Sequence, residues 1–177
     1  MKQKLLLHVC CAPCSTHVIN ELKKDYALTL YFFNPNIHKE DEYKKRLNEV
    51  KKLALKLNLP LLIGKYNIDK WFNATKGQEK EKEGGKRCST CFFLRLDNAA
   101  KAAKKNKFNS FTTTLTVSPY KNSTVINLIG KRLKDKYNIN FLEADFKKQD
   151  GYKKSIELSK KYNLYRQNYC GCLYSIR

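Results

Sequence analysis

The stretch LLLHVCCAPCS, residues 5–15, joins a short apolar run to three cysteines. The apolar run over 4–10 predicts a buried strand, because continuous apolar runs of this length are typical of strands covered on both faces. The proline of CCAPCS suits the first turn of a helix, so a helix is expected to follow. The stretch therefore places Cys10 and Cys11 at the carboxyl end of a strand and Cys14 in the first turn of the next helix.

Apolar runs and helical periodicities alternate along the rest of the chain. Further strands are expected over 27–33, 59–66, 108–116 and 138–144, and helices over 15–24, 41–58, 88–105, 122–137 and 151–162. This alternation predicts an α/β fold, in which helices flank a parallel sheet on both faces. The polar segment GQEKEKEGGKR, residues 77–87, is predicted to be a mobile loop, and the absence of repeats and linkers predicts a single domain over 1–177.

The charge of the chain favours a polyanionic partner. The sequence has 36 Lys and Arg against 16 Asp and Glu, a formal net charge of +20. Such a surplus lets a nucleic acid gain affinity by counterion release, although a lysine-rich composition can also reflect genome bias. No apolar stretch reaches about 18 residues, which argues against a membrane span. The basic start leads into cysteines rather than a signal-peptide cleavage site, so we expect a cytoplasmic protein.

Seven cysteines indicate metal or redox chemistry rather than a disulfide framework, because the number is odd and two of them are adjacent. They form three separated groups, Cys10, Cys11 and Cys14; Cys88 and Cys91; and Cys170 and Cys172. Structural zinc needs four thiolates and a dithiol redox pair needs two. A [4Fe-4S] cluster also uses four, which leaves three for an exchangeable thiol pair or a second metal. An iron–sulfur centre is favoured, and zinc and dithiol chemistry stay open.

The predicted fold brings these groups to one place. In open α/β sheets the functional crevice lies outside the carboxyl ends of the strands, where Cys10 and Cys11 stand. The start of the following helix stabilises a thiolate. Cys88 and Cys91 lie on one face at the start of another predicted helix, which makes them the strongest candidates for cluster ligands.

Four stretches resemble the QueH family of epoxyqueuosine reductases: HVCCAPCS, GGKRCSTCFFLRL, TTTLTVSPYKN and DFKKQDGYKKSIELSKKYNLYRQNYCGCLYS. They run in the family's order from near residue 5 to the C-terminus. The resemblance implies an α/β fold of the HUP, adenine-nucleotide-hydrolase-like (Rossmann-like) type and an iron–sulfur cofactor. It also implies cobalamin-independent reduction of epoxyqueuosine to queuosine at the wobble position of tRNA, the last step of queuosine biosynthesis. It also implies that six cysteines belong to the metal site, Cys10, Cys11, Cys88, Cys91, Cys170 and Cys172. We add Cys14 as a candidate, although a ligand of another type would also serve at that position.

Removing an epoxide oxygen takes two electrons and two protons. Because a [4Fe-4S] cluster passes electrons singly, we expect an external low-potential electron donor. A second, mononuclear iron held by some of Cys10, Cys14 and Cys170 would bind the epoxide oxygen as a Lewis acid. The candidate proton donors are His8, Tyr120, Lys121, Asp150 and Tyr152. His8 is expected on the strand face of Cys10, with a hydrogen-bonded core histidine as the alternative.

Candidate contacts with the anticodon loop of tRNA adjoin the cysteines. They are Lys86, Arg87, Tyr165, Arg166 and Tyr169, with Tyr174 beside them. Aromatic rings can stack on unpaired bases, while ordinary packing of the tail is the alternative for the tyrosines. His17 and His38 are expected at the surface without a role, and Trp71 in core or lid packing.

Two other functions are compatible with part of the pattern. A tRNA sulfur transferase of related fold would need a glycine-rich ATP-binding loop after the first strand, where CCAPCS stands instead. A zinc-stabilised RNA-binding module would need the cysteines and the positive charge but no redox chemistry.

Overall fold

The computed structural model describes residues 1–176. Its strands are β1 (Gln3–His8), β2 (Tyr26–Phe32), β3 (Leu61–Ile63), β4 (Ser110–Thr113) and β5 (Asn140–Phe141). Its α-helices are α1 (Ala12–Leu22), α2 (Glu40–Lys56), α3 (Ile68–Thr75), α4 (Lys86–Lys105), α5 (Ser123–Tyr137) and α6 (Gly151–Lys161). The strands form one sheet in the order β3-β2-β1-β4-β5, and every pairing is parallel. The predicted parallel sheet is confirmed.

The apolar run of β1 fills the centre of the molecule on both faces of the sheet. Leu5 and Leu7 pack with residues of α1 and α2 on one face, and Leu6 packs with residues of α4 and α5 on the other. All three leucines are fully buried. Because neighbouring side chains of a strand point to opposite faces, only a strand covered on both sides needs an uninterrupted apolar run.

The sheet order places a crevice beside the carboxyl end of β1. The strand pairs with β2 on one side and β4 on the other, and the connections that leave these two central strands diverge to opposite faces. Such a switch in the winding direction opens a crevice between the two diverging loops. The loops are the cysteine segment after β1 and residues 114–122 after β4.

Four of the five strands, β1, β3, β4 and β5, are shorter than predicted. β1 ends at His8, before the cysteines, and β4 ends at Thr113. The hydroxyl of Thr113 accepts a hydrogen bond from the backbone N–H of Leu115 at 3.1 Å, which turns the chain into a short 3-10 helix, Thr114–Val117. A side chain that satisfies a nearby backbone N–H competes with extension of the strand.

The segment between β3 and α4 also differs from the prediction. Helix α3 was not predicted; it begins where the side chain of Asn67 accepts a hydrogen bond from the N–H of Lys70 at 3.3 Å. This is an ordinary N-cap. Helix α4 begins at Lys86, inside the segment 77–87 that was predicted to be a loop. Within residues 1–176, no helix combines the length and the apolar character that a membrane span requires.

Candidate metal centre and substrate pocket

Cys10, Cys11 and Cys14 form a tight group of thiols at the carboxyl end of β1. Their sulfur atoms all lie within 4.8 Å of one another, and the sulfurs of Cys10 and Cys11 are 3.7 Å apart. Cys11 has an extended backbone at the N-cap of α1, so the chain turns sharply between the strand and the helix. The turn brings back Cys14, in the first helical turn, towards the other two. We call these three residues the thiol triplet.

The thiol triplet favours one ionised sulfur. Hydrogen bonds from the thiols of Cys11 and Cys14 hold the pKa of Cys10 well below its ordinary value, although burial opposes this effect. The same interactions raise the pKa of Cys11 to about 11 and also raise that of Cys14. The hydroxyl of Thr114 donates a further hydrogen bond to the sulfur of Cys10 at 3.4 Å. A thiolate held among thiols is an arrangement that a metal ion can occupy by displacing the remaining protons.

Two of the other four cysteines share an apolar cluster, and a third, Cys170, lies near Cys10 and Cys14 in the wall of one pocket. Cys91 and Cys172 are buried in a small apolar cluster with Trp71, which confirms the expected core packing of that side chain. Burial raises the pKa of Cys91 to about 11 and also raises that of Cys88. Electrostatic interactions with Cys170 and Cys172 add to both effects. Among residues 1–176, however, the thiol triplet alone brings three possible ligand atoms within 4.8 Å.

Arg46 fastens the C-terminal cysteine segment to helix α2. Its guanidinium donates hydrogen bonds to the carbonyl oxygens of Cys170 at 2.9 Å and Tyr169 at 3.3 Å. Its Nε is 2.6 Å from a carboxylate oxygen of Glu42, one turn earlier on α2. The arginine is only 2% exposed, so these bonds form away from competing water.

His38 and Gly171 complete this attachment. The N–H of His38 donates to the carbonyl oxygen of Gly171 at 2.9 Å, and Nδ1 of His38 accepts from the N–H of Leu173 at 3.1 Å. Gly171 has φ +132°, and a Cβ there would lie 3.1 Å from Cγ1 of Ile37, so glycine is required. The prediction of a surface position was wrong for His38 and also for His17, because each is 7% exposed.

A pocket of about 370 Å³ opens beside Cys10, Cys14 and Cys170. It lies at the crevice that the sheet order predicts for this class of fold. Five of the predicted catalytic or RNA-binding residues line it, Tyr120, Lys121, Tyr152, Arg166 and Tyr169. The structure therefore brings predicted metal-site, catalytic and RNA-binding residues together in one pocket, although they are distant in the sequence.

Two predicted proton donors lie outside the pocket wall. His8 is fully buried, with Nε2 donating to the carbonyl oxygen of Phe33 at 3.2 Å and Nδ1 accepting from the hydroxyl of Thr113 at 2.8 Å. Burial lowers the pKa of His8 to about 3, so the ring is neutral. Because β1 ends at His8, Cys10 does not continue the strand, and the expected shared face does not extend to it. Asp150 is exposed at the start of α6.

Lys121 has the strongest electrostatic link to the cysteines among the predicted donors. Burial alone would lower the pKa of Lys121, but electrostatic interactions with Cys170, Cys10 and Cys14 raise it above the ordinary lysine value. Its ammonium group therefore keeps its proton at neutral pH, next to the sulfur atoms of the pocket.

Of the predicted RNA contacts Lys86 and Arg87, one is exposed at the surface and the other is buried. Lys86 is exposed at the start of α4. Arg87 is 3% exposed, and its Nη1 donates to the carbonyl oxygens of Gln78 and Glu79 at 2.9 Å each. Its guanidinium also lies 4.4 Å from the ring centroid of Tyr174. These contacts hold the segment between α3 and α4 in place.

The predicted RNA contacts near the C-terminus, Tyr165, Arg166 and Tyr169, differ in their hydrogen bonds and in whether they line the pocket. The hydroxyl of Tyr165 donates to the carboxylate of Glu42 at 3.2 Å, which fixes the ring against α2. Arg166 is exposed, and its Nη2 donates to the hydroxyl of Tyr152 at 2.9 Å. Arg166 and Tyr169 line the pocket, whereas Tyr165 does not.

The pocket wall also contains side chains that the sequence patterns did not reveal, Arg46, Glu83, Arg95, Ser118, Gln167, Asn168 and Ser175. Arg95 had a signal, because it follows Cys91 by four residues and so shares its face of α4. Arg46 had none, since it lies on α2 far from any cysteine in the sequence.

Comparison with known proteins identifies the family. The family model described as "Epoxyqueuosine reductase QueH" matches residues 5–177. A relative with the same name from Haemophilus influenzae is 42% identical over 98% of this chain and 72% of the relative. Another, from Streptococcus pyogenes, is 39% identical over 100% of this chain and 72% of the relative. A third, from Thermotoga maritima, is 39% identical over 97% of this chain and 90% of the relative.

Two solved structures share the fold. The U34-tRNA thiolase NcsA of Methanococcus maripaludis, described with its [4Fe-4S] cluster, superposes with a TM-score of 0.62 at 14% identity. The match covers 99% of this chain and 62% of the thiolase. A predicted subunit of a tRNA methyltransferase from Methanocaldococcus jannaschii gives a TM-score of 0.61 at 16% identity, over 89% of this chain and 74% of that one. These likenesses confirm the expected α/β fold. Because the family model matches nearly the whole chain, the chain belongs to the QueH family of epoxyqueuosine reductases.

Proposed function

We propose that this protein reduces epoxyqueuosine to queuosine at the wobble position of tRNA, the activity that its family is named for. The observation that carries the proposal is the pocket of about 370 Å³ whose wall includes Cys10, Cys14 and Cys170. Thiolate ligands and a space for a small ring system meet there at the switch point of the sheet.

The donor set fits an iron–sulfur centre. Every candidate ligand is a cysteine, and Cys thiolates are the usual ligands of such clusters. We propose that a [4Fe-4S] cluster is held by Cys88 and Cys91 together with Cys11 and Cys172, the buried members of the other two groups.

The three remaining thiols, Cys10, Cys14 and Cys170, line the pocket. We propose that they hold a second, mononuclear iron close to the substrate. When bound, the two metal groups supply single electrons and a Lewis acid for the epoxide oxygen. The epoxide gains two electrons and two protons and becomes an alkene plus water, so an external low-potential donor must provide both electrons.

The protein's own part is to supply protons and to position the base. Lys121 is the proposed first donor, because it lines the pocket together with Cys10, Cys14 and Cys170, and electrostatic interactions with these cysteines raise its pKa. Tyr152 is the proposed second donor, and the hydrogen bond from Arg166 at 2.9 Å orients its hydroxyl. Tyr120 lines the same wall. His8 and Asp150 are not part of this proposal, because neither lines the pocket.

The proposed macromolecular substrate is the anticodon loop of tRNA. The net charge of +20 favours a nucleic acid by counterion release. Arg166 and Tyr169 line the pocket, where they can contact a phosphate and stack on an unpaired base. We place the reaction in the cytoplasm, since its reducing conditions keep thiols free.

The decisive experiment is reduction of tRNA that contains epoxyqueuosine. Anaerobically reconstituted protein with a chemical reductant should convert the modified base to queuosine, measured by mass spectrometry of nucleosides. The brown colour of an iron–sulfur protein should accompany the activity. A fully clustered protein that gives no queuosine would refute the proposal, and a colourless protein that binds zinc and RNA would favour the RNA-binding alternative.

A further inference from the structure

Arg95 is a buried cation on α4. It is 1% exposed. No ion pair within 4.0 Å joins its guanidinium to an Asp or Glu of residues 1–176. Nη2 donates to Oδ1 of Asn34 at 2.6 Å, and Nε has no hydrogen-bond partner in the described part of the chain. A buried charge that nothing neutralises is strongly unfavourable, so this residue needs an explanation.

The other two buried arginines are compensated. Arg46 pairs with the carboxylate of Glu42 and also donates to backbone carbonyls. Arg87 donates to two carbonyl oxygens and lies over the ring of Tyr174. Arg87, like Arg95, has no carboxylate partner and no partner for Nε among residues 1–176. Arg95 differs in having a single hydrogen bond, to a side-chain oxygen, in that part of the chain, which suggests that its counter-charge comes from something other than a side-chain carboxylate.

The surroundings of Arg95 indicate what that counter-charge is. On α4 it follows Cys91 by one helical turn and Cys88 by two, so the three side chains share a face. It also lines the pocket that includes Cys10 of the thiol triplet. Its positive charge lowers the pKa of both Cys10 and Cys91, although other interactions are larger for each. The guanidinium therefore lies close to members of both cysteine groups.

We propose that Arg95 is the internal counter-charge of the thiolate-bound metal centre, a positioning residue that favours its binding and raises its reduction potential. The inference rests on the metal centre proposed above. Thiolates and sulfide give such a centre a net negative charge, and the centre becomes more negative when it gains an electron on reduction. A fixed cation nearby stabilises the reduced form more than the oxidised form, which raises the potential. Asn34 holds the guanidinium in place through Oδ1, while its own Nδ2 donates to the carbonyl oxygen of Val9 at 3.0 Å.

The first test measures the reduction potential in reconstituted protein. The variants are Arg95→Met, which keeps the length but not the charge, and Arg95→Lys, which keeps the charge. Arg132→Met on α5 is the control, because it removes one charge from an exposed position. Arg95→Met should change the oxidised-to-reduced ratio at a fixed potential on the order of tenfold, equivalent to a shift of about 59 mV to more negative values for one electron. Arg95→Lys should retain most of the wild-type potential, and Arg132→Met all of it.

The second test uses metal-free protein, where the expected effect has the opposite sign. Arg95→Met should unfold at the same temperature as wild type or higher, because an unpaired buried charge has been removed. The gain in unfolding temperature on cluster loading should be smaller than in wild type. A residue that acts by packing alone would instead lower the unfolding temperature of both forms equally.

Asn34→Asp keeps the test informative if Arg95→Met does not fold. A carboxylate at this position would supply Arg95 with a partner inside the protein. We expect it to stabilise the metal-free form and to shift the potential in the same direction as Arg95→Met. A potential unchanged by Asn34→Asp would overturn the inference.

The remaining outcomes separate the inference from the function on which it rests. A wild-type protein that takes up no cluster refutes the metal centre itself. A loaded Arg95→Met protein with wild-type potential and wild-type stabilisation on loading refutes the role of Arg95 alone. Uptake by Arg95→Lys but not by folded Arg95→Met supports the counter-charge, whereas equal loss in both variants contradicts it.

Discussion

The guanidinium of Arg46 donates a 2.9 Å hydrogen bond to the carbonyl oxygen of Cys170, 124 positions later in the chain. This bond joins the helix after β2 to the C-terminal cysteine pair. Together with the bond to Tyr169, it determines where the last two thiols lie relative to the thiol triplet. The position of possible metal ligands therefore depends on a side chain that has no metal chemistry of its own.

Replacing Arg46 by Met should loosen the tail and reduce metal uptake. The change removes two hydrogen bonds to backbone carbonyls and leaves the carboxylate of Glu42 without its arginine. We expect a loss of about 2 kcal/mol in the free energy of unfolding, measured with denaturant. Iron per chain after reconstitution should also fall.

Lys44→Met is the matched control for Arg46. It breaks an i,i+4 ion pair on the same helix, but both partners of that pair are more than half exposed. Exposed pairs contribute little to stability, so unfolding and iron content should stay at wild-type values. If Arg46→Met retained full iron content, the proposed attachment would be unimportant for the metal centre.

Gly171→Ala should strain the turn between Cys170 and Cys172. The glycine has φ +132°, and an added Cβ would lie 3.1 Å from Ile37 Cγ1 and 3.2 Å from Arg46 Nη1. We expect a destabilisation of about 1–3 kcal/mol and reduced iron uptake, measured by thermal unfolding and iron analysis.

Gly77→Ala is the control that separates the effect of backbone strain in general from the effect of strain next to the cysteines. Gly77 also has a positive φ, +79°, but nothing lies within 4 Å of its added Cβ, and it is not close to a cysteine in the sequence. Its alanine variant should lose some stability and keep its full iron content. Equal iron loss in both variants would show that general destabilisation is the cause.

Asp97 should contribute stability that disappears in acid. Burial alone would raise the pKa of Asp97, but hydrogen bonds from Lys101, Tyr137 and Lys136 together lower it below the ordinary value. The carboxylate is therefore more acidic in the folded protein than in the unfolded chain. Its contribution is complete above the unfolded pKa, about 4, and is lost as the pH falls through the folded pKa.

The test compares urea midpoints of wild type and Asp97→Asn across this pH range in metal-free protein. The variant should be less stable at neutral pH, and the difference should shrink in acid. Glu143→Gln serves as the control, because the pair of Glu143 with Lys131 is about half exposed and should change little. A constant difference at all pH values would contradict the assignment.

Lys121→Met should slow the chemical step without lowering the iron content of the protein. Loss of a general acid lowers rates by about 10²–10⁴-fold, so single-turnover formation of queuosine should fall by at least about a hundredfold. Lys153→Met, at an exposed position of α6, should react at the wild-type rate. A Lys121→Met protein with normal iron content and normal rate would remove this residue from the mechanism.

Arg166→Ala should weaken tRNA binding and leave the cofactor spectrum unchanged. Arg166 is exposed at the pocket, so a phosphate contact is its expected role. Its loss should lower the salt dependence of binding by about one unit of slope on a logarithmic plot. Lys104→Ala, at the C-terminal end of α4, should change tRNA affinity less. Unaltered affinity and activity of Arg166→Ala would exclude the contact.

Short-range features were predictable from the sequence. The strand before Cys10, the helix whose first turn holds Cys14 and the pairing of Cys88 with Cys91 each depend on residues that are neighbours along the chain. Backbone preferences and the period of apolar residues act over that range. Alternating strands and helices also indicated the parallel sheet, because only crossovers of this length join parallel strands.

The tertiary structure alone decided which distant side chains meet. His38 looked like a surface residue, but it is buried because Trp71 and Phe72 of the unpredicted helix α3 pack against its ring. Arg46 and Arg95 have no local pattern that connects them with Cys170 and Cys10, and the sheet order brings them together. The sequence by itself determined the cysteine groups and the fold class. Long-range packing determined the pocket and its buried charges, because those contacts depend on the register and crossing of whole elements.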